Sequence, residues 1–192
     1  PDITFLTYHS AWQSDVAEDH PFDPAEPNPV GVDRLIKALI DNDIGNTGNV
    51  YAELGTTWRN LMTLPLDAAH VFGKLLKFLG EDRIVWGTDC VFTGSAQEQI
   101  VAFRAFQIPL ELQEQFGYPA LTDCAKRKIL GLNAAQAYGV LSKDGEHAQR
   151  WTFYIGPDGK IIFIDKAVNP QSAGHDVAVK LSEMGVPRKK KY

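Results

Sequence analysis

Gly80-Glu81-Asp82-Arg83-Ile84-Val85-Trp86-Gly87-Thr88-Asp89 decides the reading of this chain. An apolar run, Ile84-Val85-Trp86, enters a small-residue turn and a carboxylate follows at Asp89. In folds built on parallel strands, chemistry gathers at the C-terminal strand ends. An Asp placed there can ligate a divalent metal or take a proton from bound water. A second stretch of the same kind, Ile3-Thr4-Phe5-Leu6-Thr7-Tyr8, carries His9 to its own end.

Working outward, residues 1–9 read as a buried strand, with apolar Ile3, Phe5 and Leu6 among β-branched Thr. Residues 10–31 hold Pro21, Pro24, Pro27 and Pro29 among acids, a long excursion without a helix. Asp33 to Asp41 reads as a helix with Leu35, Ile36, Leu39 and Ile40 on one face, ended by Gly45, Asn46 and Gly48. Asn49 to Gly55 is a second strand, and Leu66 to Leu79 a second helix closed by Gly80. After the strand to Asp89 come a helix from Ala96 to about Phe106 and another from Thr122, its N-cap, to Tyr138. The order β-α-β-α-β-α-α implies a parallel sheet with crossover helices.

Past Val140 the character changes. Gln149 to Ile155 and Lys160 to Asp165 are short β runs around Gly156-Pro157-Asp158-Gly159, a hairpin signal. Gly174 to Met184 reads as a terminal helix. A boundary is therefore expected near residues 139–148, giving segments 1–139 and 140–192.

Composition narrows the function classes. A 44% hydrophobic share fills a core, and no apolar run approaches the ~20 residues of a membrane span. Net charge −5 argues against general nucleic-acid binding. The basic run Arg188 to Tyr192 reads as a solvated terminus. No secretory pattern is seen, and the start at Pro1 rather than Met leaves targeting open, with a soluble cytoplasmic chain as the default. Cys90 and Cys124 have no zinc-knuckle or disulfide-framework spacing. Cys90 is expected near the strand-end rim as a small buried thiol.

Residues 1–140 resemble the C-terminal portion of the metal-dependent amidohydrolase family, which includes decarboxylases. The motifs are Pro1-Asp2-Ile3-Thr4-Phe5 with Tyr8-His9-Ser10, Asn49 to Gly55, Gly80 to Asp89, and Ile129-Leu130-Gly131-Leu132-Asn133-Ala134-Ala135-Gln136-Ala137-Tyr138-Gly139. The resemblance implies an α/β fold that is the last three strands and helices of a (β/α) barrel. It implies His9 and Asp89 as catalytic residues, and Asp89 as a ligand of a divalent metal, zinc or manganese. The family's first-strand His-x-His is absent, since His9, His20, His70, His147 and His175 are isolated. A catalytic zinc takes about three protein ligands. A second polypeptide, or self-association, would have to complete the site and cover the open sheet edges; without assembly no metal is expected.

Residues 140–192 resemble the C-terminal segment of the peroxiredoxins, which have a thioredoxin-like fold. The match runs from Ala148 to Ile161, through Ile164-Asp165-Lys166, to the last helix. The resemblance implies that Arg150 stands where the family's Cys-activating Arg does. Neither Cys90 nor Cys124 lies in the family's Pro-x-x-x-Thr/Ser-x-x-Cys motif.

Three functions compete: a metal-dependent hydrolase or decarboxylase acting on a small molecule, a peroxide-reducing thiol enzyme, and a non-catalytic assembly chain. Each site residue has a plainer role too. Asp89 can cap a turn, His9 can be a hydrogen-bonded rim residue, and Glu53 is expected in a structural salt bridge. Arg59 can bind a substrate carboxylate bidentately or be a solvated residue at a helix start. Trp58, Trp86 and Trp151 read as core, and His70 has no assigned role.

Overall fold

The computed structural model describes residues 3–187, apart from the side chains of Val91 and Thr93. Pro1, Asp2 and the basic run 188–192 lie outside the described residues. The chain divides into two compact units, Pro1–His147 and Ala148–Tyr192.

The first unit is built on three parallel strands in the order β1 (Phe5–Thr7), β2 (Val50–Glu53), β3 (Ile84–Val85). Phe5 pairs with Val50, and Ala52 with Ile84. Neighbouring strands are joined through helices, as parallel pairing requires. Helix α1 (Gly31–Asp41) connects β1 to β2; α2 (Gly55–Leu61) and α3 (Pro65–Phe78) connect β2 to β3. Beyond β3 come α4 (Cys90–Thr93), α5 (Ala96–Ala105) and α6 (Leu110–Phe116). Next are α7 (Asp123–Arg127), a π-helical stretch Lys128–Leu132 and α8 (Asn133–Ala137). Thr122 caps α7, its Oγ1 accepting from Ala125 N at 3.1 Å.

The core lies where α1, α3 and α5 meet the sheet. Leu35, Ile36 and Leu39 of α1 and Val71, Phe72 and Leu75 of α3 are buried with Ala52 and Ile84. Trp58, Phe72 and Phe103 form its aromatic centre, with centroids 5.3–5.7 Å apart in edge and tilted arrangements. Trp86 packs against Phe103 at 5.1 Å. Beside this core, Lys74 Nζ is buried and lies 2.7 Å from both Glu18 Oε2 and Asp33 Oδ1, tying the segment after β1 to α1 and α3.

Several expectations need correction. Within the described part of 1–9 the strand is only Phe5–Thr7 and is not buried: Phe5 and Leu6 are 55% and 41% exposed. β1 is a sheet edge, paired on one side only, with β2, among the described residues. The strand expected from Asn49 to Gly55 ends at Glu53, because Gly55 already opens α2. α2 and α6 are too short for a clear periodic signal and were not expected. The helix expected from Thr122 to Tyr138 is interrupted at Gly131 (φ 178°, ψ −34°) by the π-helical stretch.

The second unit has a hairpin, β4 (Thr152–Ile155) antiparallel to β5 (Ile161–Asp165), then α9 (Ala173–Glu183). Gly156 N donates to Lys160 O at 2.8 Å across the turn. Trp151 is partly exposed, with Lys166 Nζ 4.3 Å from its ring centroid. No described helix is long and apolar enough to cross a membrane.

Candidate functional site

Because the three strands are parallel, their C-terminal ends share one side. His9 lies just past β1, Glu53 closes β2, and Asp89 follows β3. Residues 80 apart thus meet: His9 Nε2 and Asp89 Oδ2 are 2.7 Å apart, each side chain 23% exposed. Thr56, in the first turn of α2, donates from Oγ1 to the same Asp89 oxygen at 2.5 Å.

The backbone is unusual at both partners. His9 (φ 51°), Ser10 (φ 52°), Ala11 (φ 60°) and Asp89 (φ 47°) are left-handed without being glycine. Such residues cluster at functional sites, each costing about 1–3 kcal/mol that surrounding contacts must offset. Those contacts are present. Glu53 Oε2 accepts from His9 N at 3.1 Å, Thr57 Oγ1 donates to His9 O at 2.7 Å, and Ser10 Oγ donates to Glu53 O at 2.9 Å. Glu53 Oε1 accepts from Gly55 N at 2.7 Å. Glu53 therefore serves backbone amides instead of the expected salt bridge.

Two glycines make the room. A Cβ on Gly87 would stand 1.6 Å from Glu53 Oε1, and one on Gly55 2.5 Å from the His9 ring. Tyr8 stacks on the His9 ring with centroids 3.7 Å apart and 26° between planes.

Electrostatics fix the protonation pattern. Asp89 is held below the ordinary carboxylate range, chiefly by the Thr56 hydrogen bond, with the His9 bond and charge adding to it. The Tyr8 phenol is pushed up by partial desolvation of its hydroxyl and by the Asp89 and Glu53 carboxylates. Against an ionised Asp89, His9 Nε2 is the donor, so a neutral ring presents Nδ1 as its base.

The remaining sequence candidates lie apart from this pair. Arg59 is in the last turn of α2, not at a helix start, and is partly exposed. Arg150 is exposed in the second unit. Cys90 is exposed instead of buried, because it opens the short α4 on the surface; Cys124 is exposed as well. Asp89 turns its side chain to His9 and Thr56, and makes no side-chain cap to α4. His70 is buried and pairs with Tyr118 OH at 2.9 Å. Sequence reasoning missed Thr56 and Tyr8; the polar Thr56-Thr57 pair directly after a Gly at a strand end was the available signal for the first.

The implied metal does not fit this chain's donors alone. Among the described residues no three His, Cys, Asp or Glu side chains gather closely enough to hold an ion. Asp89 Oδ2 is already taken by two donors.

Comparison with known proteins gives one family: the model for amidohydrolases matches residues 42–140, just over half of the chain. The match includes Glu53, Thr56 and Asp89, and ends before the second unit. No curated protein and no solved structure matches.

Proposed function

The chain belongs to the amidohydrolase family, and from that premise we propose that it contributes the acid–base half of a metal-dependent hydrolase or decarboxylase site. The observation that carries this is the 2.7 Å contact between His9 Nε2 and Asp89 Oδ2 at parallel strand ends. Asp89, kept ionised by Thr56, orients the imidazole and stabilises the imidazolium that forms when Nδ1 takes a proton. His9 then returns that proton to the departing group. No step is assigned to a metal, since His9 and Asp89 fall short of about three protein ligands. A zinc or manganese site would need donors from a second polypeptide or a second copy of this chain.

The test is turnover of a panel of small carboxylates, amides and esters with added zinc or manganese, in wild type, His9→Asn and Asp89→Asn. The reading expects activity that falls at least about 100-fold in both variants, the usual size of a lost proton-transfer group. Turnover unchanged in either variant overturns it.

A second reading is an assembly chain. The exposed apolar residues Ile3, Phe5 and Leu6 at the β1 edge favour it, because parallel strands are ordinarily covered on both faces. Sedimentation velocity across concentration reads it directly: a monomer at every concentration counts against it. For residues 140–192 the thioredoxin-like assignment is a further proposal, resting on the sequence motif and on the hairpin-then-helix order.

A further inference from the structure

We propose that Glu53 is the positioning residue of the His9–Asp89 pair, a carboxylate clamp that sets the imidazole from its backbone side. The inference rests on the acid–base reading above and adds a residue to it. Glu53 closes the middle strand, so it alone of the three strand ends has a neighbour on each side. Its Oε2 accepts from His9 N, its Oε1 from Gly55 N, and its backbone oxygen from Ser10 Oγ.

The clamp acts where the chain is most strained. His9, Ser10 and Ala11 run left-handed in succession, and L-residues resist that conformation by roughly 1–2 kcal/mol each. A carboxylate accepting amide N–H groups is a charge-assisted contact, stronger than a neutral one. Without it, the turn relaxes toward right-handed geometry and swings the imidazole off Asp89. The surrounding packing is shaped to admit this carboxylate, since a side chain at Gly87 would occupy its Oε1 position. Among the described residues no cation pairs with Glu53: both oxygens go to backbone amides. The charged and titratable groups around it are His9, Asp89 and Tyr8.

The experiment is NMR of the full chain, reading the His9 ring nitrogens and the Asp89 carboxyl carbon through a pH titration. Glu53→Gln keeps the shape but turns an NH2 group toward one of the two amides. The expected result is loss of the single Nε2–H tautomer of His9 and a changed Asp89 carboxyl-carbon signal as the imidazole leaves Oδ2. Gly87→Ala is the second variant: its Cβ would stand 1.6 Å from Glu53 Oε1 and 2.9 Å from Gly55 N, so it displaces the carboxylate without changing the residue at position 53, and it should show the same signature. Phe72→Ala serves as the control, lowering stability without moving either signal.

If Glu53→Gln and Gly87→Ala fold and leave both signals unchanged, the clamp is refuted. If wild type itself lacks the Nε2–H tautomer, the acid–base pair fails first and the clamp with it.

Discussion

Lys74→Met is the sharpest test of how the first unit holds together. The ammonium of Lys74 is fully buried between Glu18 and Asp33, each at 2.7 Å. Only the Glu18 contact has hydrogen-bond alignment; Asp33 Oδ1 is held by charge alone. Removing one member of a buried ion cluster costs about 3–5 kcal/mol, because the remaining charges stay desolvated. Two carboxylates are orphaned here, which pushes the cost upward. Against that, Glu18 Oε1 keeps its 2.7 Å bond from Val32 N, and Asp33 keeps His20 at 3.5 Å. A loss of about 4 kcal/mol follows. The assay is urea unfolding followed by tryptophan fluorescence in a Trp151→Phe background, so that the signal comes from the first unit. Lys74→Met/Glu18→Gln/Asp33→Asn should regain most of the loss, since neutral isosteres remove the uncompensated charge. A loss below about 1 kcal/mol, or a triple variant no better than the single one, refutes the argument, because either would mean that the burial of charge costs little here.

The other expectations are simpler. Thr56→Val removes the largest cause of the lowered Asp89 titration, so the Asp89 midpoint should rise in a carboxyl-carbon NMR titration; an unchanged midpoint would detach Thr56 from the pair. Burial lowers the His70 titration, so the unfolded chain binds more protons at this position. Its contribution to stability is present in full above about pH 6.5 and is lost as pH falls below it. His70→Phe should flatten that part of the stability–pH curve measured by chemical denaturation, and an unchanged slope would assign it elsewhere. Phe72→Ala empties the centre of the aromatic cluster and should cost about 3–5 kcal/mol by the same measurement, with near-ultraviolet circular dichroism reporting the lost packing.

Much of the framework was legible locally. The helix at 33–41 and the one at 66–79 announced themselves by their periodic apolar faces, and the structure places them as Gly31–Asp41 and Pro65–Phe78. Parallel pairing followed from strands separated by helices, and the hairpin from its Gly-Pro-Asp-Gly turn. What failed was burial. Phe5 and Leu6 read as core because apolar strands ordinarily are, yet whether a strand is covered depends on what packs against it. Cys90 failed for the same reason.

His9 and Asp89 could be named as candidates from the sequence, because a strand running into a small-residue turn puts the next polar side chain at a strand end. The sequence by itself determined the strands, the longer helices, their alternation and the family. Only the tertiary structure decided that Asp89 faces His9 and Thr56, that Glu53 grips the backbone of the His9 turn, and that Lys74 anchors Glu18 and Asp33. Periodicity is a property of neighbours within a few residues. These contacts join positions 33 to 80 apart for the pair and its supports, and 41 to 56 apart for the buried ions. They form only when the parallel order of the strands brings those positions to one end of the sheet or one side of the core.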